Sequence, residues 1–339
     1  MARSTLKDVA ELAGVSAATV SYVLSGKRTI SEETKARVLE AIEQLDYVPD
    51  LTARGLSMRD SKLIGVVVPQ TEPGERLMFQ NSFYSEVLGS IEYYARQKGY
   101  HILISATDAN ESYLTLAKQR NLDGIIVIGM YPDEFYHEMK KTQIPIVLID
   151  SYCNDHYYHN IRIDDAYGSY LAARHLLEKG HRDIAFFAGQ MKENGVMKIR
   201  LLGYQQALDE FHVEFRDEYV FEGQINYQSG VELAGKLTEI APGVTAIVAA
   251  ADILAIGAVK GLYEAGKTVP GDYSVVGFDD LEISQYLTPG LTTVKQQISL
   301  KGQKAVDLLL KHIENPSLPK QEEILPLELV ERGSVKKIN

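Results

Sequence analysis

Apolar positions along this chain follow two rhythms. Up to Leu45 they recur at helical spacing, and from Leu63 onward they come as short unbroken runs. The stretch Thr5 to Leu24, TLKDVAELAGVSAATVSYVL, reads as two short helices joined by a tight turn. Thr5 with Asp8 three residues on is a variant of the capping box. Val9, Ala10 and Ala13 make the first buried stripe, and Gly14 stops the helix because glycine takes a left-handed turn at little cost. Ser16 caps the second helix, whose stripe is Val20, Val23 and Leu24. Its other face carries Ala17, Ala18, Thr19, Ser21 and Tyr22, small or hydroxyl-bearing residues with no acid among them. A third helix starts at Ser31-Glu32-Glu33 and buries Val38, Ile42 and Leu45. Together they predict a small all-α headpiece, residues 1–46, near the lower size limit for independent folding. Its turn, caps and acid-free face suit a helix-turn-helix docked in a DNA major groove. The alternative is a surface helical hairpin of a larger domain.

Proline at position 49 ends the third helix's reach and biases Val48 toward extended backbone. Residues 47–62 read as a hinge linker; a short helix over Leu51–Ser57 has little apolar surface and would form only against a partner. The second rhythm then begins. LIGVVVP, HILISA, DGIIVIG, PIVLID, DIAFFAG, TAIVAA and YSVVGF are buried-type strands, and helical stretches separate most of them. Such βα alternation predicts parallel, doubly wound sheets covered on both faces. The strands are too many for one comfortable sheet, so residues 63–339 are expected to form two lobes. The first takes 63–162 and 291–322, the second 163–290 and 323–339.

Composition adds exclusions. There is no run of 18 apolar residues and no charged-then-apolar leader, so neither membrane insertion nor export is expected. Cys153 is the only cysteine, which precludes an internal disulfide and agrees with a cytoplasmic location. A net charge of −11 looks wrong for a DNA binder, but residues 1–62 carry nine Lys/Arg and nine Asp/Glu, so the excess lies beyond them. Gly14 to Ser31 holds Lys27 and Arg28 and no acid, a local footprint suited to phosphate contact.

Residues 5–56, with TLKDVAELAGVS, TVSYVLSG, DYVP and ARGL, resemble the headpiece and hinge of the lactose-repressor/galactose-repressor (LacI/GalR) family. The larger region resembles that family's effector domain, built like a periplasmic sugar-binding protein, through GSYLAARHLLEKGHRDIAFFAG, RLLGYQQAL, DILAIGAVKGLYEAG, VPGDYSVVGFDD and LTTVKQ. The resemblance implies a cytoplasmic homodimeric regulator, a repressor on a pseudo-palindromic operator, with no cofactor and no metal. On it, Thr5, Ser16, Ala17, Ala18, Thr19, Ser21, Tyr22, Thr34, Tyr47 and the hinge residues Ala53 and Leu56 are the expected DNA contacts. Leu56 matches the family's leucine wedge. Tyr22 stands where an arginine is common, and tyrosine cannot make the bidentate guanine contact. No apolar heptad tail follows the last strand-like segment, so tail-mediated tetramers are not expected.

Ligands of open α/β sheets bind beyond the carboxyl ends of strands. Asp150 ends PIVLID and Asp279 ends SVVGF; Arg200 and Asp279 match the family's effector arginine and aspartate. Phe83 and Tyr84 match an aromatic pair, and Gln296 is expected to line the floor. Carboxylates accept hydroxyls and a guanidinium donates a fork, so one cation against two anions favours a neutral polyol over a doubly charged phosphate. A structural Arg200–Asp279 ion pair is the competing reading. The chain departs from the family in three places: Ala251 precedes Asp252 where an asparagine is frequent, segment 71–80 is long, and there is no Trp. Control by a protein partner, or by a nucleobase or sugar-phosphate co-repressor, is the alternative to a carbohydrate.

Two motifs are decoys. Gly261 to Thr268 fits the phosphate-loop spacing, but it ends a helix instead of opening one. Cys153, His156 and His159 lie in a tyrosine-rich loop without paired CxxC units or a fourth ligand. With no GxSxG elbow, no HExxH and only sequence-adjacent acid pairs, an enzyme has no positive support.

Overall fold

The computed structural model describes residues 4–25, 28–47, 61–69, 81–107, 113–152, 157–191 and 195–338. The chain divides into two units, Met1–Ser61 and Lys62–Asn339.

The first unit contains α1 (Leu6–Ala13), α2 (Ala17–Ser25) and α3 (Glu32–Gln44). Thr5 caps α1 through a complete capping box with Asp8, and Gly14 closes it at φ 65°. The Ser16 hydroxyl accepts from the Thr19 amide at 3.1 Å, and Ser31 accepts from Thr34 at 3.3 Å. Val9, Ala10, Ala13, Val20, Val38, Ala41 and Tyr47 form one small core, with Val23, Leu24, Ile42 and Leu45 packed around it. The hinge expectation, with Ala53 and Leu56, falls on positions 48–60, outside the described residues.

The second unit is built on two six-stranded sheets. Strands β1 (Leu63–Pro69), β2 (His101–Thr107), β3 (Gly124–Ile128), β4 (Ile146–Ile149), β5 (His159–Arg162) and β11 (Glu322–Ile324) make the first, in the order β11-β5-β4-β3-β1-β2. Strands β6 (Ile184–Gly189), β7 (Val220–Gly223), β8 (Ala246–Ala249), β9 (Ser274–Asp279), β10 (Thr292–Lys295) and β12 (Glu328–Val330) make the second, in the order β12-β10-β9-β8-β6-β7. Among the described residues all strand pairings are parallel except β10 with β12.

The apolar runs are explained by burial on both faces. Along β6, Ile184, Phe186 and Ala188 point into one core while Ala185 and Phe187 point into another. In the first sheet, Ile126 and Ile128 share the former core, and Ile125 and Val127 a third. The shared core therefore continues from one sheet to the other.

Helices α4 (Ser82–Gln97) and α11 (Ile298–Glu314) pack together against the first sheet. On the second, α7 (Asp165–Glu178) packs with α8 (Val196–Glu210), and α9 (Tyr227–Ile240) with α10 (Asp252–Glu264). Short helices α5 (Tyr113–Gln119) and α6 (Asp133–Met139) lie among the first sheet's strands in sequence.

The expected lobe boundaries need two corrections. Residues 291–295 do not belong to the first lobe: β10 pairs with β9 and β12, and Thr293 donates to the Asp252 carboxylate of that lobe at 2.5 Å. Conversely, residues 323 and 324 do not belong to the second lobe, because β11 pairs with β5. The chain thus crosses between lobes after β5, after β10 and after β11.

Helices α9 and α10 meet backbone to backbone. A Cβ on Gly257 would lie 2.1 Å from the Tyr227 carbonyl oxygen, and one on Gly230 2.3 Å from that of Leu254. Gly257→Ala should therefore force these helices apart and cost roughly 1–3 kcal/mol, the usual range for overpacking. A lowered thermal midpoint of the effector domain checks this, and an unchanged midpoint would contradict the close contact.

Candidate DNA-binding face and effector cleft

On the headpiece, Ala17 and Ala18 are exposed and Thr19, Ser21 and Tyr22 half-buried, so the acid-free face of α2 is open. The Arg28 guanidinium sits 5.1 Å from the Tyr22 ring centroid, which places a cation on that ring. Thr5 donates its hydroxyl to Asp8 at 2.8 Å, and the Thr5 amide and hydroxyl hold the Asp8 carboxyl below its usual range. The Ser16 and Thr19 hydroxyls lie 2.9 Å apart, and Ser31 donates to the Thr34 hydroxyl at 2.8 Å. Tyr47, expected to support a DNA contact, instead belongs to the headpiece core at 9% exposure. Its aromatic ring fills space that three short helices cannot otherwise close.

In the second unit, buried charge gathers at the carboxyl ends of the strands. Asp150 follows β4, Asp279 ends β9, Ala250 follows β8, and Gln296 follows β10. Their backbone is unusual: Asp150 has φ 52°, Asp279 φ 131°, Asp280 φ 57° and Gln297 φ 52°. Non-glycine residues rarely hold such angles, and strain of this kind concentrates at functional sites.

Asp279 and Asp150 both feel the charge of Arg200, but its hydrogen bonds go to other groups. Arg200, buried on α8, donates to Asp165 Oδ1 at 2.7 Å through Nε and approaches it at 2.6 Å through Nη2. Nη1 donates to the Ala250 carbonyl oxygen, and the guanidinium lies 3.7 Å from the Phe278 ring centroid. Tyr152 donates to the other oxygen of Asp165 at 2.5 Å. The ion pair that Arg200 makes is with Asp165, not with Asp279 as the competing reading had it.

Asp150 has a different cation. Lys301 of α11, fully buried, reaches Asp150 Oδ2 at 2.6 Å and Gln296 Oε1 at 2.5 Å. The Gln296 amide donates in turn to Asp279 Oδ1. One polar chain thus joins the first lobe, a crossing and the second lobe. Two cations and three carboxylates meet here, not one and two.

Burial pushes the Asp279 carboxyl up to about 8, against the pull of Arg200 and Gln296 and with added repulsion from Asp252. Burial also raises Asp150, with Lys301 opposing. Tyr84 is raised by burial and by the charges of Asp150 and Asp279, so its hydroxyl faces the same cluster. Phe83 and Tyr84 meet edge to face, 5.2 Å between centroids.

Asp252 serves the frame. It accepts from the Leu281 amide at 2.9 Å, Ser284 at 2.6 Å and Thr293 at 2.5 Å, tying α10 to the segment after β9 and to β10. The lobes also meet where Ser82 and Tyr227 hydroxyls lie 3.3 Å apart and the Glu282 amide donates to Glu86 at 3.2 Å. A separate groove of about 370 Å³ opens in the second lobe beside β6 and β7, lined by Gln190, Glu222, Gln224 and Asn226 among others. It is shallow and apart from the buried charges, which carry the chemistry.

Three residues of the cleft were missed. Lys301 had a signal: it stands on the buried stripe Ile298, Gly302, Ala305 of an amphipathic helix, where lysine is out of place. Asp165 was hidden in the pair Asp164-Asp165, whose first member caps α7 while the second is buried. Tyr152 lay in a segment with many tyrosines and no period.

Both decoys are resolved locally. Gly266 follows α10 at φ 72° as a helix-ending turn. Cys153 and His156 are outside the described residues, and His159 is buried in β5. Among the described residues no three His, Cys, Asp or Glu side chains come together as metal ligands, and no helix is long and apolar enough to cross a membrane.

Comparison with known proteins covers the whole chain. Residues 5–50 match the family described as bacterial regulatory proteins, lacI family, and residues 173–335 match a periplasmic binding protein-like domain. The chain is 33% identical over 343 residues to an HTH-type transcriptional repressor PurR of Actinobacillus pleuropneumoniae, covering 99% of both. It is similar to the lac repressor dimer bound to operator and the anti-inducer ONPF, at 28% identity and TM-score 0.84, over 99% of this chain and 100% of that one. It is also similar to a LacI family regulator of Enterococcus faecium with bound ribose, at 30% identity and TM-score 0.72, over 82% and 100%.

The Asp279 environment has a stability signature. In the folded protein this carboxyl keeps its proton to about pH 8, far above the value of an unfolded aspartate. Its contribution is therefore complete below about pH 4 and is lost as pH rises toward the folded value. Asp279→Asn should flatten the decline of thermal midpoint between about pH 5 and pH 8 relative to the parent. Parallel profiles for the two proteins would show that Asp279 is not held protonated.

Proposed function

The chain belongs to the LacI family of bacterial regulatory proteins, DNA-binding repressors under small-molecule control, and from this premise we propose that its effector is a neutral polyhydroxylated molecule, a carbohydrate. The effector lies between the two lobes, against Phe83, Tyr84, Asp150, Arg200, Asp279 and Gln296. The carrying observation is charge matching inside the cleft: Arg200 is engaged by Asp165 and Lys301 by Asp150. Cations already spent on carboxylates do not favour a phosphate, whereas carboxylate oxygens suit hydroxyl donors. A nucleobase would want an open aromatic face. Among the described residues, Arg200 covers one face of Phe278, and Phe83 and Tyr84 stand edge to face instead of presenting parallel rings. The ribose-bound relative supports the sugar reading.

The headpiece reads the operator through Ser16, Ala17, Ala18, Thr19, Ser21 and Tyr22 of the open α2 face, with no catalytic step. Like the lac repressor dimer on its operator, the protein acts as a homodimer on a pseudo-palindromic site, in the cytoplasm.

A thermal-shift screen of sugars, sugar phosphates and nucleobases tests the effector class, because a ligand stabilises the state it binds. Neutral sugars should raise the midpoint, and a shift confined to nucleobases or phosphates would refute the proposal. Asp279→Ala should weaken binding of the best sugar by about 1–3 kcal/mol, the cost of a lost acceptor and an unpaired Gln296 amide. Effector-free operator binding should stay nearly unchanged while falling steeply with salt. Wild-type sugar affinity in that variant would place the ligand elsewhere.

A further inference from the structure

Lys301 and Asp150 do more than neutralise each other. The ammonium has three N–H donors. One goes to Asp150 Oδ2 and one to Gln296 Oε1, and no acceptor takes the third among the described residues; the Phe83 ring centroid lies 5.4 Å away. Asp150 has the complementary vacancy: Oδ1 is buried and accepts no hydrogen bond. A buried acceptor without a donor is costly, and such atoms are uncommon in native structures. Asp150 is also held at φ 52°, a conformation aspartate does not choose freely.

We infer that Lys301 and Asp150 form a donor–acceptor clamp for a hydroxyl group of the effector, and that Lys301 is the specificity-determining residue of the first-lobe wall. The inference rests on the polyol reading above and deepens it. A hydroxyl is the smallest neutral group that donates and accepts at once, so it gives its proton to Asp150 Oδ1 and takes one from Lys301 Nζ. A phosphate or carboxylate on the ligand would meet the Asp150 charge with nothing to donate, and an ammonium would meet Lys301. An apolar residue at position 301 would leave Asp150 with only the weaker pull of Arg200, so its carboxyl would take a proton more readily and become a poorer acceptor. Through Gln296 the clamp reaches Asp279, so a second hydroxyl of the same molecule faces the other lobe.

The test uses the full-length protein in isothermal titrations with D-ribose, D-cellobiose, D-ribose 5-phosphate and hypoxanthine. The variants are Lys301→Met and the double variant Asp150→Asn with Lys301→Met. The double variant buries no charge at this pair, so it keeps the test open if the single variant folds poorly. At least one neutral sugar should bind the parent, and ribose 5-phosphate should bind at least tenfold more weakly than ribose. Both variants should lose tenfold or more in sugar affinity, the double variant despite a parental melting temperature. Parental sugar affinity in a folded double variant would reduce the pair to a structural ion pair and overturn the inference while leaving the polyol reading intact. If hypoxanthine alone bound the parent, the polyol reading would fall and the clamp with it.

Discussion

Ionisable groups buried at the seam of two apolar lobes must be matched, and that requirement organises the effector domain. Asp150, Asp165, Asp252, Asp279, Arg200 and Lys301 all lie near the carboxyl ends of strands, where parallel sheets present backbone and short connections instead of side-chain cores. Desolvating any of them alone would be strongly unfavourable. Asp165 is matched by Arg200 and Tyr152, and Asp252 by three donors. Asp150 and Asp279 are matched less completely among the described residues, one keeping an unused oxygen and the other held by the Gln296 amide alone. Completely satisfied carboxylates hold the frame, and incompletely satisfied ones are available to a ligand.

Much of the fold was legible because its signals are local. Caps at Thr5, Ser16 and Ser31, and the glycine stop at Gly14, each depend on a few neighbouring residues. Runs such as GIIVI mark strands buried on both faces. What escaped depended on partners distant in sequence. Strands β5, β7, β11 and β12 are three or four residues long and carry polar side chains, so only their ladder partners define them. The lobe assignment of β10 depends on its ladders with β9 and β12 and on the Thr293 hydroxyl donated to Asp252, which no periodicity announces.

The site divides the same way. Strand ends pointed to Asp150 and Asp279, and the charge of Arg200 beside them was legible. Its partner was not, because choosing among three carboxylates requires their three-dimensional positions. Lys301 is the instructive omission. A charged residue on an otherwise apolar helical stripe is a local contradiction, and such contradictions are expected where function overrides packing.

The three crossings between lobes also bear on how the chain is made. The first lobe begins at Leu63, yet its helix α11 starts only at Ile298 and its edge strand β11 ends at Ile324. Residues Ile64, Val87 and Ile91 share a core with Leu309, more than two hundred positions later. During synthesis, at roughly 5–20 residues per second, that half-lobe emerges with only α4 on the face that α11 later shares. It stays so until almost the entire second lobe has left the ribosome. The lobe encoded first therefore waits for its own helix until all of the second lobe but the edge strand β12 has been made.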